Sequence, residues 1–285
     1  MTKPVSYVRV LTTAANDITG QAMWGTVLLC LICSATVVGS LLLAGFDLIP
    51  IWAAGVANYF AVYAIYTVLH EAVHGNISGN NTGPTSLDRW VGRIAGFFII
   101  VPYSAHETIH LTHHRYTNDP DRDPDHHVKG KGFFGILGRC MTVTIFYLVY
   151  CRRHWGQAKM RKAFWISLWA FVQTGILLGI LGYFFGWQVP VIGYLIPAIV
   201  AVPTLAFLFD WIVHTPHEDP GRFRNTTVFE GKAYWLDRLY TWATLQQNYH
   251  GIHHAFPRIP FTKYRSFFKQ YKAELIASGM PVKNY

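Results

Sequence analysis

The sequence predicts an all-α integral membrane protein: four transmembrane helices in two hairpins, capped on one face by histidine-rich helical segments. Three observations lead there. Charged residues make up only 14% of the 285 residues, against about 25% in an average soluble domain. The few charges avoid three long stretches, Ile18–Phe46, Leu48–Leu69 and Ala163–Phe209. The 14 histidines, by contrast, gather into short boxes between and after those stretches. The hydrophobic content of 52% excludes a disordered chain.

Taken in order, the spans are about 23–45, 51–69, 163–187 and 189–209, each 19 to 25 residues long. At about 1.5 Å per residue each can cross about 30 Å of hydrocarbon. A run of 47 residues without charge, 163–209, is poorly explained by buried helices of a soluble core. Pro197 and Pro203 would break a soluble helix but are tolerated among packed membrane helices. The turns at Phe46–Pro50 and Trp187–Pro190 are short, so the spans pair as hairpins. The apolar segments Trp90–Tyr103 and Met141–Cys151 are too short to cross and read as interfacial or buried helices.

Lysine and arginine number two before the first span, twelve between the hairpins and ten after the last, which accounts for all 24. Neither short turn holds one. By the positive-inside rule the N-terminus, segment 70–162 and segment 210–285 face the cytoplasm. The net charge of +9 is therefore a topology signal, and nucleic-acid binding loses its footing. The first apolar run is too long and starts too late for a cleaved signal peptide. No internal repeat or linker divides the chain, so 1–285 reads as one membrane-embedded domain. Cys30 and Cys33 have CxxC spacing but lie inside the first span, where they read as packing residues.

The boxes are His70-Glu-Ala-Val-His74, His110-Leu-Thr-His113-His114 and His250-Gly-Ile-His253-His254, with Asp210-Trp-Ile-Val-His214 at the end of the fourth span. Residues at i, i+3 and i+4 share a helix face, so each box presents its imidazoles in one direction. Ordinary surface or core roles suit His126, His127 and His154, but not the boxed set together. The assigned topology puts all four clusters at the cytoplasmic edge of the membrane. Eight or nine imidazoles exceed the four ligands of one zinc, so two metals sharing them is the economical reading. Imidazole suits zinc, copper, iron and nickel alike. A polar metal layer opening onto apolar helices suits redox iron.

The set HxxxH, HxxHH, HxxHH and a later histidine, in this order and over about residues 70 to 264, resembles the membrane fatty acid desaturase and hydroxylase superfamily. The run His113–Asp125 resembles the usual continuation of the second box. Leu208–His217 and Gln247–Pro260 resemble the carotenoid ring hydroxylases within that superfamily. The resemblance implies a four-span, non-haem diiron enzyme that uses O2 and electrons from a separate protein. It implies that His70, His74, His110, His113, His114, His250, His253 and His254 are iron ligands, and that His214 is a further one. Asp210 falls where some members place an asparagine that reaches a metal through water. A carboxylate there is a departure, with two readings: a metal ligand, or a group orienting a histidine. Asn118 and Asn248 read as supporting residues, and His106 and His217 as extra to the pattern. The acidic run Asp119–Asp125 reads as a solvated turn, a support for the second box, or a docking edge for the electron donor.

The implied reaction oxidises an unactivated C–H bond of a long membrane lipid, by hydroxylation or desaturation. The subfamily resemblance leans toward carotenoid ring hydroxylation, with fatty acyl desaturation as the alternative. No fused cytochrome or ferredoxin domain is visible, so a ferredoxin, rubredoxin or cytochrome donor would dock from outside. The basic residues Arg222, Arg224, Lys232 and Arg238 are its candidate contacts, or are plain solvated charges. Two rivals come from other classes. His70-Glu71-Ala-Val-His74 and His106-Glu107-Thr-Ile-His110 both fit HExxH, the pattern of a zinc protease. A metal transporter could also place histidines in a membrane, but would spread them along a pore.

Overall fold

The computed structural model describes residues 7–285. Lys3, counted above among the basic residues before the first span, lies outside the described residues. Twelve helices are placed, and two three-residue strands, β1 (Val228–Glu230) and β2 (Val282–Asn284), pair in parallel. Five helices are long and apolar enough to cross a membrane: α2 (Trp24–Gly45), α3 (Ile51–Val73), α6 (Gly132–Arg153), α7 (Ala158–Phe185) and α8 (Gln188–Ile212). The shorter ones are α1 (Tyr7–Asp17), α4 (Ser86–Phe98), α5 (Tyr103–Tyr116), α9 (Tyr234–Ala243), α10 (His250–Ala255), α11 (Tyr264–Gln270) and α12 (Lys272–Ala277).

The helix α6 is where the sequence reading falls short. The apolar run Met141–Cys151 is its second half only. A first turn and more at Gly132–Arg139 doubles its length, because glycine and a single arginine break the hydropathy without breaking the helix. The helix α7 likewise begins before its apolar span, at Ala158, and carries Lys159, Arg161 and Lys162 in its first turns.

Helix α3 is the central element. It packs against α2, α4 and α8 around an apolar core that includes Val62, Ile65, Val68 and Leu69. Polar side chains inside this core tie the helices together. Asn58 donates to the Gly193 carbonyl at 2.7 Å and accepts from Ser40 Oγ at 2.9 Å, joining α2, α3 and α8. Close approach at the same crossing needs Gly55, since a Cβ there would lie 2.8 Å from the Ile192 carbonyl oxygen. Three prolines sit in α8, and two π-helical stretches, Val191–Leu195 and Ala206–Ile212, absorb the lost backbone donors. The second stretch carries Asp210.

The remaining helices form a cap over one end of this bundle. Loop 74–85 is pinned by Asp88, which accepts from the backbone N–H groups of Ile77, Ser78 and Thr85. The C-terminal segment and α1 share a second core around Tyr249, Ile252, Tyr264 and Phe268. Asp237 holds it from inside, accepting from Tyr249 Oη, Arg265 Nε and the Gly231 N–H. Lys269 and Lys272 both pair with Glu230. These ties fix α10, and with it the third histidine box, above the ends of α3 and α8. Cys30 and Cys33 are both free and buried in packing positions.

Replacing Asn58 by leucine removes two interhelical hydrogen bonds and leaves the Gly193 carbonyl unpaired. A loss of about 1 kcal/mol is expected. It is checked as a lower thermal midpoint of the detergent-solubilised protein; an unchanged midpoint would contradict the role given to this crossing.

Candidate metal centre

Four elements deliver the imidazoles. His70 sits in the last turn of α3 and His74 caps it. His106, His110, His113 and His114 lie on α5, His214 follows α8, and α10 carries His250, His253 and His254. The i, i+3, i+4 spacing does what the sequence requires of it. His70, His74, His110, His114 and His253 each bring a ligand atom within 4.8 Å of the others. His113, His214 and His254 form a second group under the same limit. The groups adjoin: the rings of His114 and His254 stack at 4.4 Å, and His113 Nε2 lies 3.3 Å from His254 Nε2. His250 stands beside both groups, its ring 4.8 Å from that of His254 and 5.0 Å from that of His253. Eight of these nine side chains are buried and His114 is half-buried.

The nitrogens cannot satisfy one another. His110 Nε2 is 2.9 Å from His74 Nε2 and 3.1 Å from His114 Nε2, and the latter is 2.8 Å from His253 Nε2. A ring nitrogen offers either one proton or one lone pair. The two in the middle of this chain therefore cannot serve both neighbours. Both nitrogens of His70 are buried without a hydrogen-bond partner, the nearest carboxylate being Glu71, 3.5 Å from Nδ1. Burial, then the neighbouring imidazoles, hold His74, His110, His114, His250, His253 and His254 well below the ordinary histidine value. The same causes lower His214. Neutral rings with converging, unsatisfied lone pairs fit cations, and this donor set could hold them.

Several rings are held from behind through Nδ1, which leaves Nε2 free. His113 Nδ1 meets Asp123 at 2.8 Å, His250 Nδ1 meets Gln247 Oε1 at 2.6 Å, and His214 Nδ1 lies 3.3 Å from the Asn225 carbonyl. His253 Nδ1 is 3.0 Å from Tyr264 Oη, and Tyr264 donates in turn to Glu71 at 3.3 Å. Glu71 also accepts from Asn76 and from the Phe261 N–H. In the zinc-protease pattern this glutamate would be the general base; here both its oxygens are engaged as braces. The other HExxH glutamate, Glu107, accepts from Tyr103 Oη at 3.1 Å.

The acidic run divides. Asp119 pairs with the exposed Arg122, as a solvated turn would. Asp123 and Asp125 are buried against His113, at 2.8 and 3.4 Å. Burial opposes charge on His113, but these two carboxylates outweigh it and push it up to about 9. Asn118 belongs to the same layer. Its N–H donates to Asp123, and its Nδ2 donates to the Asn225 carbonyl that His214 also faces. Asn248 makes no hydrogen bond to an imidazole among the described residues; it braces the turn before α10 through Phe229 and Thr241. His217 lies outside both groups, its Nε2 unpartnered. Arg222 donates to the Ala255 carbonyl beside His254, while Lys232 and Arg238 are exposed on the cap.

Asp210 joins neither histidine group. It lines a partly open apolar cleft between α5, α6, α7 and α8. Tyr66 and His106 line the same cleft. His106 stacks on His110 at 5.1 Å, so the inner end of the cleft abuts the histidine layer. Sequence reasoning missed the Tyr264–Glu71 brace, Gln247 and Asn225. None of these has a spacing that marks it, since each reaches its histidine through folding of the cap.

Two outcomes follow for the metal-free protein, with Zn2+ as probe and a competing chelator as readout. His113 is protonated below about pH 9 and must release that proton to coordinate. Affinity of its group therefore rises about tenfold per pH unit up to about pH 9 and then levels. Asp123→Asn flattens that slope near neutrality. Tyr264→Phe leaves His253 and Glu71 without their shared partner and lowers affinity about 10–100-fold with the fold intact. A pH-independent affinity, or an unchanged Tyr264→Phe protein, would contradict these assignments.

A family model described as "Fatty acid desaturase" matches residues 47–285. Curated relatives include an sn-1 acyl-lipid omega-3 desaturase (ferredoxin) of Synechocystis, 26% identical over 229 residues that cover 71% of this chain and 62% of the relative. A chloroplastic omega-3 fatty acid desaturase of Glycine max is 27% identical over 241 residues, covering 74% of this chain and 51% of the relative. A third, from Ricinus communis, is 26% identical over 227 residues, covering 70% and 48%. The chain thus spans about half to three-fifths of the length of these relatives. With the family match running through every histidine box, this chain belongs to the fatty acid desaturase family.

Proposed function

We propose that this protein is a multi-pass membrane oxidoreductase that uses O2 and external electrons to oxidise an unactivated C–H position of a long lipid. One observation carries the reading: eight mostly buried imidazoles gather in two adjoining groups, next to an apolar cleft whose His106 stacks on His110. Two non-haem iron ions are the proposed cofactor. His70, His74, His110, His114 and His253 would hold one, and His113, His214 and His254 the other, with His250 beside both. Bound iron supplies reductive activation of O2 and removal of hydrogen from carbon. The chain supplies the rest. Asp123, Gln247, Asn225 and Tyr264 fix the ring orientations at Nδ1, and Asp125 with Asp123 holds charge beside His113. The apolar walls of the cleft keep water from the lipid and position its carbon, where small displacements separate hydroxylation from desaturation.

The four-span topology remains our reading, with α2–α3 and α7–α8 as the hairpins and both termini cytoplasmic. The helix α6 is taken to lie across the cap face. Along its length it meets segment 122–127: Arg139 and Tyr150 donate to the carbonyls of His127 and Arg122, and Tyr147 to Asp125. Basic residues flank it at both ends, which suits an interfacial helix. All of residues 1–285 are proposed to act as one domain.

The relatives' names favour desaturation of an acyl lipid with a ferredoxin-type donor. Carotenoid ring hydroxylation is kept as the second reading because a carboxyl, Asp210, lines the cleft at the position where the sequence departs from the desaturase pattern. Expression in cells that make β-carotene, with mass spectrometry of lipids and pigments, separates them. Acyl desaturation predicts fatty acids lighter by two hydrogens and unchanged pigment, and ring hydroxylation predicts pigment heavier by one oxygen. His113→Ala abolishes whichever activity is present. Full activity in that variant would sink the proposal.

A further inference from the structure

Helix α9 is amphipathic in the reverse of the usual sense. Its inner face is polar: Asp237 and Thr241 are buried, Asp237 accepting from Tyr249 and Arg265, and Thr241 Oγ1 from Asn248. Its outer face is apolar. Trp235, Leu239 and Trp242, at i, i+4 and i+7, form one stripe and are 64%, 55% and 76% exposed. Nothing among the described residues covers it, and a stripe of this kind marks a surface that meets a partner.

Two observations say what the partner is. The first is where the helix ends. The carbonyl of its last residue, Ala243, accepts from Tyr63 Oη of α3 at 3.0 Å. Tyr63 lies within the span 51–69, about two turns below His70, and Phe60 beneath it is 62% exposed on the outside of the bundle. The outer apolar surface of the bundle therefore continues onto α9. The second is charge. The acids of segment 228–243 are Glu230 and Asp237, and both are tied up, by Lys269 and Lys272 and by Arg265. The exposed charges left are Lys232 and Arg238, both basic, and Arg238 flanks the stripe with its guanidinium over the Tyr234 ring.

We infer that α9 lies in the bilayer leaflet nearest the histidine layer, with Trp235, Leu239 and Trp242 among the acyl chains and Lys232 and Arg238 on the phosphates of anionic phospholipids. Tryptophan suits that depth because its ring is apolar and its N–H polar, and a long basic side chain reaches the headgroups while its stem stays in the apolar zone. The consequence reaches the metal layer. Thr241 and Asp237 hold Asn248 and Tyr249, the two residues before His250, so the helix seated in lipid also holds the third histidine box. The inference rests on the reading that α3 spans a membrane.

A nitroxide on an introduced cysteine measures the depth, since the four native cysteines are buried. The full chain carries Zn2+, which leaves the metal layer diamagnetic, and sits in nanodiscs of phosphatidylcholine with phosphatidylglycerol. Collision of the label with O2, which favours hydrocarbon, is compared with collision with a nickel chelate, which stays in water. Leu239→Cys is read against Asp121→Cys, a water reference on the exposed acidic turn, and Leu31→Cys, a bundle reference on the outside of α2. The label at position 239 is expected about 5–10 Å below the phosphates. Reversing both charges, Lys232→Glu with Arg238→Glu, moves it toward water, and further with phosphatidylglycerol present than in phosphatidylcholine alone. Trp242→Cys repeats the reading from the same face should the first variant fail to fold. A label at 239 as open to the nickel chelate as that at 121, with 31 protected, overturns this inference and leaves the membrane enzyme standing. Spin–spin broadening at 239, the mark of a second copy on this face, overturns it too, and so does a depth indifferent to charge reversal. If position 31 is open to water as well, the membrane reading falls with it.

Discussion

Everything in this structure answers to one constraint: many neutral imidazoles must be kept together in a dry layer without protons enough to satisfy each other. Imidazole nitrogens at 2.8–3.1 Å from one another form a chain in which the middle members face two neighbours with a single proton or lone pair. Such an arrangement costs free energy in a metal-free fold and becomes favourable only with cations among the nitrogens. The helix ends, the cap and the Nδ1 partners are what hold it in place.

The architecture supplies that restraint in two layers. The bundle aligns α3 and α8 so that His70, His74 and His214 emerge at one level, with Asn58 locking the crossing below. The cap then brings α10 down on them, its position set by the Asp237 and Glu230 ion-pair cluster and by α1. Tyr264 and Glu71 link the layers directly, since Glu71 belongs to α3 and Tyr264 to α11. Asp210, in the π-helical end of α8, lines the cleft and belongs to neither histidine group.

What was legible in the sequence is what local periodicity encodes. The spacing of His110, His113 and His114 places three rings on one helix face whatever the tertiary fold, and runs such as Ala163–Phe209 announce apolar helices by composition alone. The extent of α6 was not legible, because glycines and a lone arginine dilute its hydropathy. The roles of Asn225, Gln247 and Tyr264 were hidden for a different reason: each reaches its histidine only after the cap has closed. The acidic run offered three readings, and burial of Asp123 and Asp125 against His113 separates them from the solvated Asp119. Asp210 left two options open in the sequence; in the fold it lines the cleft, apart from both histidine groups.

The central claim is that the two histidine groups exist to hold two irons. Metal quantitation of the full chain purified from iron-replete cells, with X-ray absorption at the iron edge, tests it most directly. The account predicts about two irons per chain in a mainly imidazole environment. A single zinc per chain, or full folding with no metal at all, would contradict it.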